Sequence, residues 1–133
     1  MTRVFIDSGV LIAAARGEAS LRDAAVQLLT HPTHVFLTSP FVYLETVPKA
    51  RFGQRELELA LYRLYFDHAQ SLDDLSKLLP LALNISAQDG VGPMDSLHVA
   101  AAILLEADVL LTVENRGKSI YRAQAMNVQH LLG

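Results

Sequence analysis

Short runs that are apolar on both faces alternate along this chain with longer stretches whose apolar residues recur at helical spacing. That alternation builds an α/β domain around a largely parallel sheet. Val4-Phe5-Ile6 is such a run, suited to a central strand covered on both sides. Asp7-Ser8-Gly9 makes the strand-to-helix turn, with Asp7 or Ser8 as the cap, and Val10 to Ala15 reads as a short helix closed by Gly17. Leu21, Ala24, Ala25, Leu28 and Leu29 stripe one face of a second helix, which His31-Pro32 ends. Val35 to Thr38 is the next strand, and Ser39-Pro40 opens a helix in which Pro48 predicts a kink or break. Leu57 to Phe66 is an amphipathic helix, Ala69 to Leu72 a short strand, and Asp74 to Ala87 a helix carrying Pro80. After a loop through Asp89-Gly90-Val91-Gly92-Pro93 come a helix over Asp95 to Glu106, a strand over Val109 to Val113 and a last strand over Asn127 to His130.

With 133 residues, no internal repeat and no linker, residues 1–133 read as one domain with one core. The absence of Cys excludes disulfide scaffolds, zinc ribbons and thiol nucleophiles, and a mean hydropathy of +0.27 excludes disorder. Asp7 interrupts the apolar N-terminus and argues against an export signal. Val99 to Leu105 stops at Glu106, far short of a membrane span, so the cytoplasm is the expected location.

In an open parallel sheet the ligand crevice lies beyond the carboxyl ends of the strands. Asp7 follows the first strand and Glu114 follows the strand ending at Val113, so both belong to that edge. Asp95 starts the helix that feeds the latter strand, and Glu45 lies in the first half of the helix after the second strand, which brings both to the same edge. Each acid singly can be a cap or a solvated charge. Together, four carboxylates repel unless a cation sits among them, and an oxygen cage is what Mg²⁺ or Mn²⁺ prefers.

These residues carry a resemblance to the PIN domain family, the fold of many VapC-type toxin ribonucleases. Val4-Phe5-Ile6-Asp7-Ser8-Gly9-Val10-Leu11 resembles the family's opening strand and acid. Ser39-Pro40-Phe41-Val42-Tyr43-Leu44-Glu45 is similar to its second acid on a helix, and Asp95-Ser96-Leu97-His98 with the small residues after it to its third. Leu110-Leu111-Thr112-Val113-Glu114 resembles the strand that ends in Thr, any residue, acid. The resemblance implies a three-layer α/β/α sandwich with a mostly parallel central sheet, and an Mg²⁺- or Mn²⁺-dependent endoribonuclease that hydrolyses RNA through metal-activated water. It makes Asp7, Glu45, Asp95 and Glu114 the catalytic and metal-binding acids. It also implies an antitoxin protein as partner and a homodimer, while the lack of a membrane span argues against association with a membrane. Glu114 stands where Asp is usual, one methylene longer, and the alternative is a weak or inactive PIN-like module that binds RNA or protein.

Ser8 and Thr112 can bond the carboxylates or a bound water, or serve in capping and strand packing. His98, one turn after Asp95 on the same face, could approach the site or the substrate, and the resemblance implies a packing and hydrogen-bonding residue, structural ahead of catalytic. The formal charge of −3 looks unsuited to RNA, with 11 basic residues against 14 acidic. Of those 14, four would be ligands, which leaves ten against 11. Lys49, Arg51, Arg116 and Lys118 are the candidates for substrate phosphate, and each alone can be an ordinary surface charge. Tyr43, Tyr62, Tyr65 and Phe66 could stack bases, but their helical spacing favours packing. A phosphohydrolase or phosphoacceptor acting through Asp7 would want further acids near it, and Gly9 stands where a phosphatase needs a second Asp.

Overall fold

The computed structural model describes residues 1–133. Five strands form one sheet: β1 (Thr2–Ile6), β2 (His34–Thr38), β3 (Gln70–Ser71), β4 (Val109–Thr112) and β5 (Val128–His130). Their order is β3-β2-β1-β4-β5, and every pairing is parallel. Six α-helices make the connections: α1 (Ser8–Arg16) and α2 (Ala19–Leu29), α3 (Pro40–Phe52) and α4 (Glu56–His68), α5 (Leu78–Asp89) and α6 (Pro93–Leu104). A 3₁₀ turn over Ser119–Arg122 precedes β5.

Right-handed crossovers with this strand order put α1 to α4 on one face and α5, α6 and the 3₁₀ turn on the other. The packing agrees, with α1 against α2, α3 and α4, and α6 against α5 and the 3₁₀ turn. The expected three-layer sandwich is therefore the fold, and its sheet is wholly parallel. Val4, Phe5 and Ile6 are all buried, as a central strand covered on both faces requires. The connections from β1 and into β4 leave in opposite directions, so the switch point of the sheet lies between these neighbours.

Two helix expectations are corrected. Pro48 neither breaks nor ends α3, which runs on to Phe52. Proline leaves the carbonyl four residues back without its ladder partner. Here that residue is Leu44, and both it and Pro48 are exposed, so water can take the freed group. Helix α5 begins at Leu78 rather than Asp74 because the Asp74 carboxylate bonds the amide and hydroxyl of Ser76, at 3.0 and 2.6 Å. That turn competes with a helical start. It also leaves Pro80 in the first turn of α5, where a missing N–H costs no helical bond.

Two helices end on a non-glycine residue in the left-handed region, Gln54 at φ 56° and Glu106 at φ 57°. In each, paired bonds close the helix: Arg55 N to Ala50 O with Gln54 N to Arg51 O, and Ala107 N to Ala102 O with Glu106 N to Ile103 O. At the end of α6 the Arg3 guanidinium also donates to the Leu105 carbonyl at 2.7 Å, while the Arg3 amide donates to Asp108 at 2.7 Å. Arg3 thus ties the start of β1 to the turn that enters β4.

Candidate functional site

Asp7 is the residue immediately beyond β1. Its backbone amide still bonds Leu111 of β4, so its position is set by the sheet. Its carboxylate is only 5% exposed, accepts a 2.5 Å bond from the Thr112 hydroxyl and caps α1 through the Val10 amide. Gly9 is needed beside it: a Cβ there would lie 2.7 Å from Val113 Cγ2 and 3.3 Å from Asp7 Oδ1. Burial pushes the Asp7 carboxyl up to about 6 from 3.8; the Thr112 bond, His98 and the Val10 amide oppose the rise, and the charge of Asp95 adds to it.

Asp95 sits in the first turn of α6, half-buried. Burial raises its pKa, with Glu114 and Glu45 adding and His98 opposing. The helix start is fixed from several sides. Ser86 and Ser96 hydroxyls both donate to the Val91 carbonyl, and the Gly92 amide donates to the Ser119 hydroxyl at 2.9 Å.

Glu45, on α3, is held by His98 of α6, whose Nε2 lies 2.5 Å from Glu45 Oε1. A carboxylate only accepts, so Nε2 carries the proton. This bond is the main reason the Glu45 pKa lies below the usual range, with Ser8 and Lys49 acting in the same direction against partial burial. His98 is buried, and its ring bonds Glu45 from one turn beyond Asp95.

Glu114 stands two residues beyond β4 and is exposed. Its amide bonds the Thr112 hydroxyl at 3.1 Å, so Thr112 ties Asp7 and the Glu114 backbone together. Tyr121 donates to the Glu114 carbonyl at 2.7 Å. Burial raises the Tyr121 pKa, Arg116 opposes, and the charges of Asp7 and Glu114 add, which places this hydroxyl within the field of the acids. Sequence reasoning missed Tyr121, because a four-residue 3₁₀ turn has no periodicity to read.

The four acids therefore share one edge, around the sheet's switch point, and meet electrostatically at Asp95, whose charge acts on Asp7 and which Glu45 and Glu114 act on in turn. All offer oxygen, the donor that Mg²⁺ and Mn²⁺ take. No three His, Asp or Glu side chains close into a ready-made coordination group. What fits a cation is the buried Asp7 carboxylate, whose charge is disfavoured by burial above all and further by Asp95, a cost that a divalent ion would relieve.

The basic candidates separate. Arg116 and Lys118 are exposed just beyond Glu114, with the Arg116 guanidinium on the Gly133 carbonyl. Lys49 lies one turn beyond Glu45, and Arg51 is exposed near the end of α3. Tyr62 and Tyr65 are buried and Phe66 packs on Tyr43 at 5.0 Å between ring centroids, so packing accounts for them. No helix is long and apolar enough to cross a membrane.

No curated protein sequence matches the chain. Among solved structures it is similar in fold to VapBC2 from Rickettsia felis bound to a DNA fragment from the promoter, at 15% identity and TM-score 0.72, covering 97% of this chain and 98% of that one. It is similar to DNA-bound VapBC from Salmonella typhimurium at 17% identity and TM-score 0.71, covering 98% and 99%. For VapBC-1 from nontypeable Haemophilus influenzae the figures are 18% and 0.70, covering 99% and 100%. The model of the PIN domain family matches residues 4–123, nearly the whole span from β1 to the 3₁₀ turn, and the chain belongs to that family.

Proposed function

We propose that this chain is an Mg²⁺- or Mn²⁺-dependent endoribonuclease, the toxin of a toxin–antitoxin pair, with Asp7, Glu45, Asp95 and Glu114 as its metal-binding and catalytic acids. The observation that carries the reading is Asp7: a buried carboxylate at the switch point, braced by Thr112 and set against Asp95. PIN domains are generally nucleases, and the similar solved structures are VapBC proteins. Bound among these acids, a divalent ion would supply Lewis-acid activation of water and neutralise charge building on the phosphate.

The chain's own residues prepare the site. Thr112 fixes the Asp7 carboxylate and the Glu114 backbone, and His98 holds Glu45 ionised and oriented. Asp95 is presented by a helix start that Ser86, Ser96 and Ser119 lock in place. Ser8 supports Glu45 from the first turn of α1. Such rigid placement keeps the acids from reorganising during reaction. Arg116, Lys118, Lys49 and Arg51 are the cations offered to RNA phosphates, an antitoxin is the protein partner, and the toxin acts in the cytoplasm as a homodimer.

Glu114 favours a second reading. Unlike Asp7 and Glu45 it is exposed and its carboxylate has no protein partner, which suits a weak nuclease or a module that only binds RNA or protein. Cleavage of single-stranded and structured RNA with Mg²⁺, Mn²⁺ or EDTA decides between them, run beside Asp95→Asn. Metal-dependent cleavage lost in the variant, with metal binding measured by calorimetry in the wild type, supports the nuclease. A folded wild type that binds no divalent ion overturns it.

A further inference from the structure

A second feature lies along α3, away from the four acids. The C-terminal ends of α1 and α3 and the start of α4 border an open groove of about 430 Å³ lined by Arg16, Pro48, Lys49, Phe52, Gly53 and Arg55. Three of the six residues are cations. Two acids approach them: Glu45, whose carboxylate feels the charge of Lys49, and Glu58, 3.9 Å from Arg16 Nε and 3.5 Å from Arg55 Nη1. The Glu58 side chain is 9% exposed, so it steadies both guanidinium groups and offsets one of the three positive charges of the lining. Each guanidinium meets it through one nitrogen and keeps other donors free.

Phe52 is 94% exposed, an apolar ring with no protein partner, at the mouth of this cationic groove. The helix-ending turn at Gln54 is what brings Arg55 round to face Lys49 and Phe52. One residue, Lys49, links the groove to the candidate site. Lys49 lies four residues after Glu45, about 6 Å along the same face of α3, and its charge acts on the Glu45 carboxylate.

We propose that this groove binds a single-stranded stretch of the RNA substrate flanking the scissile phosphate, with Arg16, Lys49 and Arg55 on backbone phosphates and Phe52 stacked on a base. The proposal rests on the ribonuclease reading and names the form of RNA it takes. Single-strand channels combine cations that track the backbone with an aromatic face that any base can cover. A duplex keeps its bases stacked inside and offers Phe52 nothing to cover. An acidic protein segment would meet the same cations, and the test below tells the two occupants apart.

The test uses the full chain carrying Asp95→Asn, so that RNA is not cut, and a fluorescein-labelled single-stranded oligoribonucleotide followed by anisotropy across a salt series. Arg16→Ala, Lys49→Ala and Arg55→Ala should each weaken binding several-fold and lower the slope of log affinity against log salt by about 0.7 per lost phosphate contact. Phe52→Ala should weaken binding about tenfold with the slope unchanged, and Phe52→Tyr should restore it. Unchanged affinity and slope in the three cation variants would overturn the proposal. So would an oligoglutamate peptide that binds as tightly as RNA and ignores Phe52→Ala, which would assign the groove to an acidic protein. Failure of the ribonuclease reading is seen separately, as absence of cleavage by the wild type with any divalent ion. Cleaving wild type with groove variants that bind normally removes the groove alone.

Discussion

Replacing Asp7 by Asn should stabilise the metal-free protein at neutral pH while removing its response to Mg²⁺. The folded carboxyl titrates at about 6 against 3.8 for the free group, so between these values the folded state binds more protons than the unfolded one. Stability therefore falls as pH rises through that window, and above it the full cost of the buried charge is present. Two pKa units correspond to about 3 kcal/mol, an upper bound on what neutralisation returns. Asn keeps one acceptor oxygen for the Val10 amide or the Thr112 hydroxyl and must turn its NH₂ to the other, most easily to a Thr112 hydroxyl rotated to accept. That exchange leaves a net gain of about 1–2 kcal/mol, or roughly 3–10 °C in Tm for a chain of this size. Thermal unfolding in EDTA at about pH 7.5 and pH 4 measures it; the gain should be present at the former and vanish at the latter. Added Mg²⁺ should raise the Tm of the wild type and leave Asp7→Asn unmoved. An Asn variant less stable than wild type at neutral pH in chelator would refute the claim that burial of this charge costs stability.

Thr112→Val should cost about 1–3 kcal/mol by leaving Asp7 and the Glu114 amide short of a partner, and should shift the acid limb of the activity profile to higher pH; urea unfolding and a pH–rate series check both. Arg3→Ala should lower stability by about 1–2 kcal/mol through loss of the bonds to the end of α6, seen as a lower urea midpoint with an unchanged slope. Glu106→Gly should add about 0.5–1 kcal/mol by relieving the left-handed backbone at φ 57°, whereas Glu106→Val should destabilise; calorimetry separates the two.

The parts of the fold legible in the sequence are those set by local pattern. Val4-Phe5-Ile6 reads as a central strand because three consecutive apolar residues need cover on both faces, and all three have it. Ser39-Pro40 marks the start of α3 because the cap and the fixed φ act within one turn, and Ser39 does accept from the Phe41 amide. Pattern fails where a neighbour outweighs propensity. Pro48 carries a strong local penalty, yet the helix persists because its freed carbonyl belongs to an exposed residue. Asp74 to Lys77 carry helical spacing, yet one carboxylate bonding Ser76 holds them as a turn.

The same division runs through the site. Placement of Asp7, Glu45, Asp95 and Glu114 at one edge follows from chain order and crossover handedness, which sequence carries. How each acid behaves does not follow, because it is set by residues distant in sequence: Thr112 reaches Asp7 across 105 positions, and His98 reaches Glu45 across 53. Lys49 shows the consequence for substrate recognition. Read along the chain it pairs with Arg51, two residues on, but residues two apart on a helix do not share a face. In the fold Lys49 instead lies with Arg16 and Arg55, from two other helical ends, across Phe52. A cationic surface built from three segments leaves no run of basic residues, and the small net charge of −3 conceals it further. An acidic chain can thus carry both a carboxylate site and a cationic groove near it, provided that tertiary structure keeps the two signs apart.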